Sequence, residues 1–463
     1  MFRRGSVYSI TLGIQLSAGI LVVPLLTRVL NPSEYGALTV ALVVVQVLVV
    51  VAAAGIPAAV TRFHFGDGGS TEARALVPIT FVVALVVATV ATATGPWWSN
   101  LIEDLEYGTL LRVATWTIVP LAVTLSAQAS LQAEDRAREF VFVGAISGVG
   151  AQLTGLAAVV LIDKSPSQYL LGFLVGTLAA AIVAISLVRP PVKTATFRLL
   201  KRALHYGGPT VPHSLALFLV AAGDRFVVER EMGLTEVARY QVAYLVGALG
   251  IGLAVAFNNA WAPLVYSSGD EARPRVLSET TRAAFLVSAL AAGAIAMMSP
   301  IGLSIAAPSG YAPEDLVPIT AIVAVGVIPY VGYLASAHVA FQHGKTSVFA
   351  WLTPLVAATN VILNLVLVPR FGLAGAAFTT LASYLLLATG LHLRIRRIES
   401  VPWVYRAVGT STVLGTALVA TGAYLPSSGA GIVVRSLITI GLLALVIRYV
   451  VRIRDTSSIR ANG

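Results

Sequence analysis

Fourteen apolar runs, each about twenty residues long, follow one another along this chain with only short connections between them. They fall at 7–28, 37–60, 75–98, 109–131, 140–162, 168–188 and 209–228, then at 237–266, 283–306, 316–341, 346–368, 373–393, 404–424 and 431–450. A helix of about twenty apolar residues spans the hydrocarbon core of a bilayer, and it satisfies its own backbone hydrogen bonds where water cannot. The expected fold class is therefore an all-α integral membrane protein of about fourteen transmembrane helices, with no large soluble domain. Composition agrees. Of 463 residues, 57% are hydrophobic and 11% charged, whereas soluble domains carry roughly a quarter charged residues. Arg3 and Arg4 before the first run imitate a signal peptide, but the run is long and no small-residue cleavage site follows it, so it is expected to be a retained helix.

The net charge of +10 suits either a nucleic-acid partner or a membrane orientation, and the placement of the charges decides between them. With the N-terminus inside, 23 of the 31 basic residues fall on inner connections, while acidic residues divide almost evenly. This is the positive-inside pattern. It puts both termini in the cytoplasm of a multi-pass protein of the cell (inner or plasma) membrane, and it leaves no reason to expect nucleic-acid binding. The longest inner connection, 190–208, places Phe197, Leu200 and Leu204 on one helical face, with Arg198, Lys201, Arg202 and His205 around it. Such a pattern lies flat in a membrane interface.

This connection divides the first twelve runs into six and six. Residues 27–41 and 229–243 also align at a constant offset of 202, pairing Arg28 with Arg230, Ser33 with Thr235, Glu34 with Glu236 and Ala41 with Ala243. Each segment joins the first and second helix of its half, and an even number of helices gives the halves the same orientation. The expected domains are a six-helix lobe at 1–190, an amphipathic cytoplasmic linker at 191–208, a second six-helix lobe at 209–394, and helices thirteen and fourteen with a basic tail at 395–463.

Several segments resemble the oligosaccharide and polysaccharide flippase family of the MOP superfamily. They are PLLTRVLNPSEYGAL at 24–38, GIPAAVTRF at 55–63, the stretch 205–244 with Pro209, Asp224, Arg225, Gly233 and Tyr240, and TNVILNLVLVPRFGLAGAAFTTLASY at 359–384. The last two helices match least. The resemblance implies a MATE-like fold of two pseudo-symmetric lobes about a cavity that opens alternately to each side. It also implies a polyprenyl-diphosphate-linked oligosaccharide as cargo, exported for surface polysaccharide biosynthesis, with a polysaccharide polymerase or glycosyltransferases as partners.

Charges within spans are costly, about 2.5–3.5 kcal/mol each on insertion scales, and so point to a transport path. Arg28, Arg62, Arg112 and Arg225 are the candidates for an anionic diphosphate, because a guanidinium donates two aligned hydrogen bonds to phosphate oxygens. Asp224 is the candidate for ion coupling, or a neutralising partner for Arg225. Arg435, four residues into the last span, is expected to snorkel to the headgroups. Asn360 and Asn364 share one helix face, and Asn258 lies in the eighth span. These three are candidates for sugar hydroxyls, with hydrogen bonding between helices as the plain alternative, which also covers Gln15 and Gln46. Gly172 and Gly176 read as a packing contact. No catalytic residue, metal ligand or cofactor motif emerges, and the absence of Cys excludes disulfides and thiolate sites. An enzyme is thus not expected. The rival transport function is a cation-coupled multidrug antiporter of the MATE family, which shares the fold but needs an accessible acid inside a lobe.

Overall fold

A computed structural model describes residues 19, 21–66, 68–345 and 347–461, the side chains at 260 and 449–461 excepted. Arg3, Arg4, Gln15 and most of the expected first run lie outside the described residues, as do the side chains of Arg452, Arg454 and Arg460. Every element among the described residues is helical. Ten helices are long and apolar enough to cross a membrane, or eleven if the bent pair Thr210–Ala222 and Asp224–Met232 counts as one span. The expected fourteen is not reached among these residues, for three reasons. The first run is largely outside them. The runs at 346–368 and 373–393 are two helices that meet without a connecting loop at a break at Gly372 (φ 57°, ψ −139°, a conformation that favours glycine), and the continuous stretch Ser347–Ile395 enters the ten once. The Tyr405–Tyr424 helix, rich in Thr and Gly, is not among the ten.

The chain divides into two compact units. The first holds the chain up to Gln241 together with Phe349–Gly372. Its second expected span is two helices, Pro32–Ala53 and Ile56–His64. Pro32 opens the first of these, where its missing N–H costs nothing, and a capping box closes the end: Glu34 N donates to Asn31 Oδ1 and Asn31 N to Glu34 Oε2, both at 2.9 Å. The left-handed residues Ala54 and Gly55 end it. Ser165 and Thr196 cap Pro166–Val188 and Phe197–Gly207 by accepting from Gln168 N and Leu199 N.

In lipid, apolar burial between helices gains little, because acyl chains are as apolar as Leu, so close approach and interhelical hydrogen bonds carry the packing. Gly172 and Gly176 serve that end, as expected. A Cβ at Gly172 would stand 2.4 Å from Thr154 O, and one at Gly176 2.5 Å from Ala151 Cα. Thr80 Oγ1 and Ser126 Oγ meet at 2.8 Å between Gly69–Ala93 and Thr109–Ala133, a contact worth roughly 0.6 kcal/mol.

The second unit holds Val242–Val348 and the chain from Leu373 onward. Its long helix Arg273–Ala306 packs on Tyr405–Tyr424 through Gly415 and Gly422, whose Cβ atoms would fall 2.8 Å from Ala289 Cβ and Ala296 C. Arg435 is buried here, 1% exposed, and does not snorkel. It donates to the carbonyls of Ala296 (3.3 Å), Met297 (3.1 Å), Pro426 (3.1 Å) and Leu425. The physical reason is local. Pro300, inside the same helix, has no N–H to bond the Ala296 carbonyl, so a donor from another helix satisfies it. Ser299 Oγ also reaches that oxygen, at 2.7 Å.

Candidate functional site

Most of the candidate residues belong to the first unit, and they separate into three groups. The first is a buried ionic cluster at the bend of the Thr210–Ala222 and Asp224–Met232 pair. Asp224 and Arg225 are 1% and 3% exposed. Arg225 Nη1 lies 2.5 Å from Asp224 Oδ1 and donates to Ala221 O at 2.8 Å. Its Nε and Nη2 donate to Gln241 Oε1 at 3.3 and 3.2 Å. Tyr240 Oη donates to Asp224 Oδ2 at 2.7 Å, and its ring faces the guanidinium at 5.1 Å. In this conformation Arg225 and Asp224 therefore occupy each other. The Asp-Arg and the Tyr of the quoted stretch are one physical unit, joining the end of one helix to the next. Removing one partner leaves the other charge buried alone, which typically costs about 3–5 kcal/mol. Asp224→Ala is expected to lower thermal stability and abundance. An unchanged unfolding midpoint would refute the lock.

The second group is exposed arginine at helix ends. Arg28, in the last turn of the helical run 21–29, is exposed, and its Nη1 donates to Pro24 O. Arg112, in the first turn of Thr109–Ala133, is exposed and lies 5.9 Å from the Tyr107 ring centre. Beyond these, the acidic segment near 100–106 is tied to the chain around 229–234. Asp104 N donates to Glu229 Oε1 at 2.7 Å, Leu234 N to Asp104 Oδ2 at 3.3 Å, and Arg230 pairs with Glu103 at 3.5 Å.

The third group lines a cavity of about 710 Å³ between the 62–72 connection and the Phe197–Gly207 helix. Arg62 shares it with Arg198, Lys201, Arg202 and His205. The two halves are far apart in the sequence, and only folding joins them.

Asn360 and Asn364 are buried, and Asn364 Nδ2 donates to Asn360 Oδ1 at 3.1 Å. Asn364 Oδ1 has no hydrogen-bond partner among the described residues. Asn258, in the second unit, is half-buried, and its Oδ1 is likewise unpartnered among them. Gln46 is exposed.

The profile of the polysaccharide biosynthesis protein family matches residues 3–268, more than half of the chain. The chain belongs to that family. Among solved structures, it is similar to the lipid II flippase MurJ in an inward closed conformation (13% identity, TM-score 0.76, 96% of this chain and 98% of that one). It is also similar to an inward-facing multidrug resistance MATE family transporter of the MOP superfamily (14% identity, TM-score 0.67, 86% and 99%). A MOP superfamily transporter from Pyrococcus furiosus matches at 14% identity and a TM-score of 0.60, over 85% and 95%. No curated protein matches the sequence. At these identities the structures establish the fold, which is that of the MOP superfamily, as expected. For this polysaccharide biosynthesis protein, the matched span carries Arg28, Arg62, Arg112, the Asp224–Arg225 pair, the basic cavity and Asn258. Asn360 and Asn364 lie beyond it.

Proposed function

We propose that this protein moves a polyprenyl-diphosphate-linked oligosaccharide from the cytoplasmic to the outer leaflet by alternating access, for surface polysaccharide biosynthesis. One observation carries the reading. Arg28, Arg62 and Arg112 are exposed cations at helix ends, whereas Asp224 is buried and held by Arg225 and Tyr240. Exposed cations suit an anionic cargo. A cation-coupled antiporter needs the reverse, an acid open to its ion, so the fold shared with MATE transporters does not favour drug export here. Arg28 and Arg112 stand at the outer side, so a diphosphate meets cations where it leaves, while Arg62 at the inner side opens into the basic cavity. Asn258, Asn360 and Asn364 supply amides for sugar hydroxyls. Arg225 holds its own end of a span in place and joins the cargo path only if the Asp224 pair opens.

The test is surface polysaccharide in cells lacking the native copy. Glu at Arg28 or Arg112 is expected to abolish export while leaving the protein abundant. Lys is expected to retain part of it, since it keeps the charge and loses the two-pronged geometry. Full export with Glu at both positions would refute the assignment.

The proposal includes both termini in the cytoplasm and two similarly oriented lobes, 1–190 and 209–394. Single cysteines at Ser309 and Ser428, both exposed, are expected to react with an impermeant maleimide outside intact cells, and cysteines at Ser70 and Ser267 to stay silent. Ser278, on the same inner connection as Ser267, is unsuitable. It is buried and bonded to Pro402 O, so silence there carries no meaning. Outside labelling at Ser70 would reverse the orientation.

A further inference from the structure

The connection 190–208 is more than a tether. The Phe197–Gly207 helix is fixed in rotation because Leu199 and Ala203 are buried in one cluster with Ile56, Ala59, Val60, Ala73 and Leu76. Gly207 lies flat against Gly55. A Cβ on Gly207 would stand 2.2 Å from Gly55 O, and one on Gly55 2.0 Å from Gly207 O. With that face pinned to the break in the second span, Arg198, Lys201, Arg202 and His205 are presented around the cavity that Arg62 shares.

The charges there do not balance, even with Asp67, which follows Gly66 in the sequence and lies outside the described residues, counted against Arg62, Arg198, Lys201 and Arg202. Among the described residues Glu72 is the acid in the lining, and Arg202 already holds it, with Nη1 at 3.0 and 3.1 Å from its two oxygens while its guanidinium lies 4.9 Å from the Phe63 ring centre. Arg62, Arg198 and Lys201 have no carboxylate partner among the described residues. Gathering like charges at one site is unfavourable unless an anion sits among them. The rim is the reverse of a water-facing surface. Phe65 and Phe197, next in the chain to the lining residues Gly66 and Arg198, are 73% and 80% exposed, and Tyr206 in the lining is exposed too. Cations with apolar side chains around them, on a helix whose sequence pattern suits a membrane interface, match a phosphate headgroup whose acyl chains run alongside.

We propose that this cavity binds the headgroup of an anionic glycerophospholipid from the cytoplasmic leaflet, and so clamps the Phe197–Gly207 helix onto the break in the second span. The inference rests on the orientation proposed above, not on the cargo. A bilayer phospholipid suits the site because the cavity is built from connections outside the apolar runs, at the depth of bilayer headgroups, and displacement by polyprenyl diphosphate, which also joins phosphate to an apolar chain, tells the two apart.

The test uses the full-length protein in neutral phosphatidylcholine nanodiscs, with phosphatidylglycerol added stepwise. Retained lipid is counted by native mass spectrometry, and the unfolding midpoint is followed. Wild type is expected to retain phosphatidylglycerol and to gain stability from it. Arg198→Gln with Lys201→Gln is expected to weaken retention about thirtyfold and to lose the gain, with an unchanged midpoint in phosphatidylcholine alone. Arg394→Gln with Arg397→Gln removes equal charge from exposed positions in the second unit and is expected to behave as wild type. The proposal is overturned if the first pair binds like wild type, if both pairs weaken retention equally, or if phosphatidylcholine is retained as well. It is also overturned if inorganic phosphate gives the same protection, or if polyprenyl diphosphate displaces phosphatidylglycerol, since the site would then belong to a free anion or to the cargo. A first pair already destabilised in phosphatidylcholine would make the cations structural, and would equally overturn it. None of these readouts requires transport, so a failed cargo assignment leaves the result intact.

Discussion

Gly36→Val is expected to reduce transport at least tenfold while the protein still reaches the membrane. Gly36, in the first turn and a half of Pro32–Ala53, meets the backbone of Leu234 so closely that a Cβ would lie 1.9 Å from Leu234 O and 2.6 Å from its carbonyl carbon. Both neighbours are backbone, so no rotamer change relieves the overlap and the helix ends must separate. Overpacking of this kind costs about 1–3 kcal/mol where the surroundings yield. Around the contact, Glu229 and Asp104 hold the acidic segment against the same end of the Leu234–Gly247 helix. On the alternating access proposed above, we expect this end to close tightly in one state and part in another. Valine favours the parted state and stalls the cycle. Gly36→Ala, with one methyl group, is expected to fall between valine and wild type. Export at the wild-type rate by the Gly36→Val protein would show that the contact does not take part in turnover.

Arg435→Ala is expected to destabilise the second unit by roughly 3–5 kcal/mol, from four lost charge-assisted hydrogen bonds and the carbonyls left behind. The Ala296 carbonyl has no helical donor because of Pro300, and the carbonyls of Leu425 and Pro426 face the same guanidinium. Lysine carries three donors on one nitrogen and cannot reach four carbonyls spread over two segments, so Arg435→Lys is expected to recover only part of the loss. Pro300→Ala restores a helical N–H to Ala296 O and is expected to soften the effect of Arg435→Ala. The measurement is the unfolding midpoint of purified protein in detergent. If Arg435→Ala unfolds where wild type does, the guanidinium contributes nothing net.

These two sites mark where the sequence could and could not be read. Apolar runs show directly which segments cross the bilayer, because the bilayer imposes one length and one composition on each. They separate 346–368 from 373–393 but do not show that the two helices meet with no loop between them, since the backbone turn at Gly372 alone makes that break. Arg435 was misplaced because distance from a span end predicts snorkelling. The decisive fact was that the carbonyls of Leu425 and Pro426, just past a helix end, and of Ala296 and Met297, in a different helix, converge on one guanidinium. Asp224 and Arg225 were legible as neighbours, and so was the chance that they neutralise each other. That Tyr240 and Gln241 close the cluster required the fold. Arg62 and the basic linker were each visible, but their union in one cavity depends on Gly55 and Gly207 touching although they are far apart in the chain, which no local pattern encodes.

This member of the polysaccharide biosynthesis family is proposed to carry an anionic lipid-linked sugar. The most direct measurement is in proteoliposomes containing a fluorescent polyprenyl-diphosphate oligosaccharide, with the label exposed on the outer surface scored by an impermeant quencher. Wild type is expected to equilibrate the label between leaflets, and the double variant Arg28→Glu with Arg112→Glu to leave it where it was loaded. Equal movement by both proteins, or no lipid movement alongside gradient-driven uptake of a cationic drug, would contradict the account.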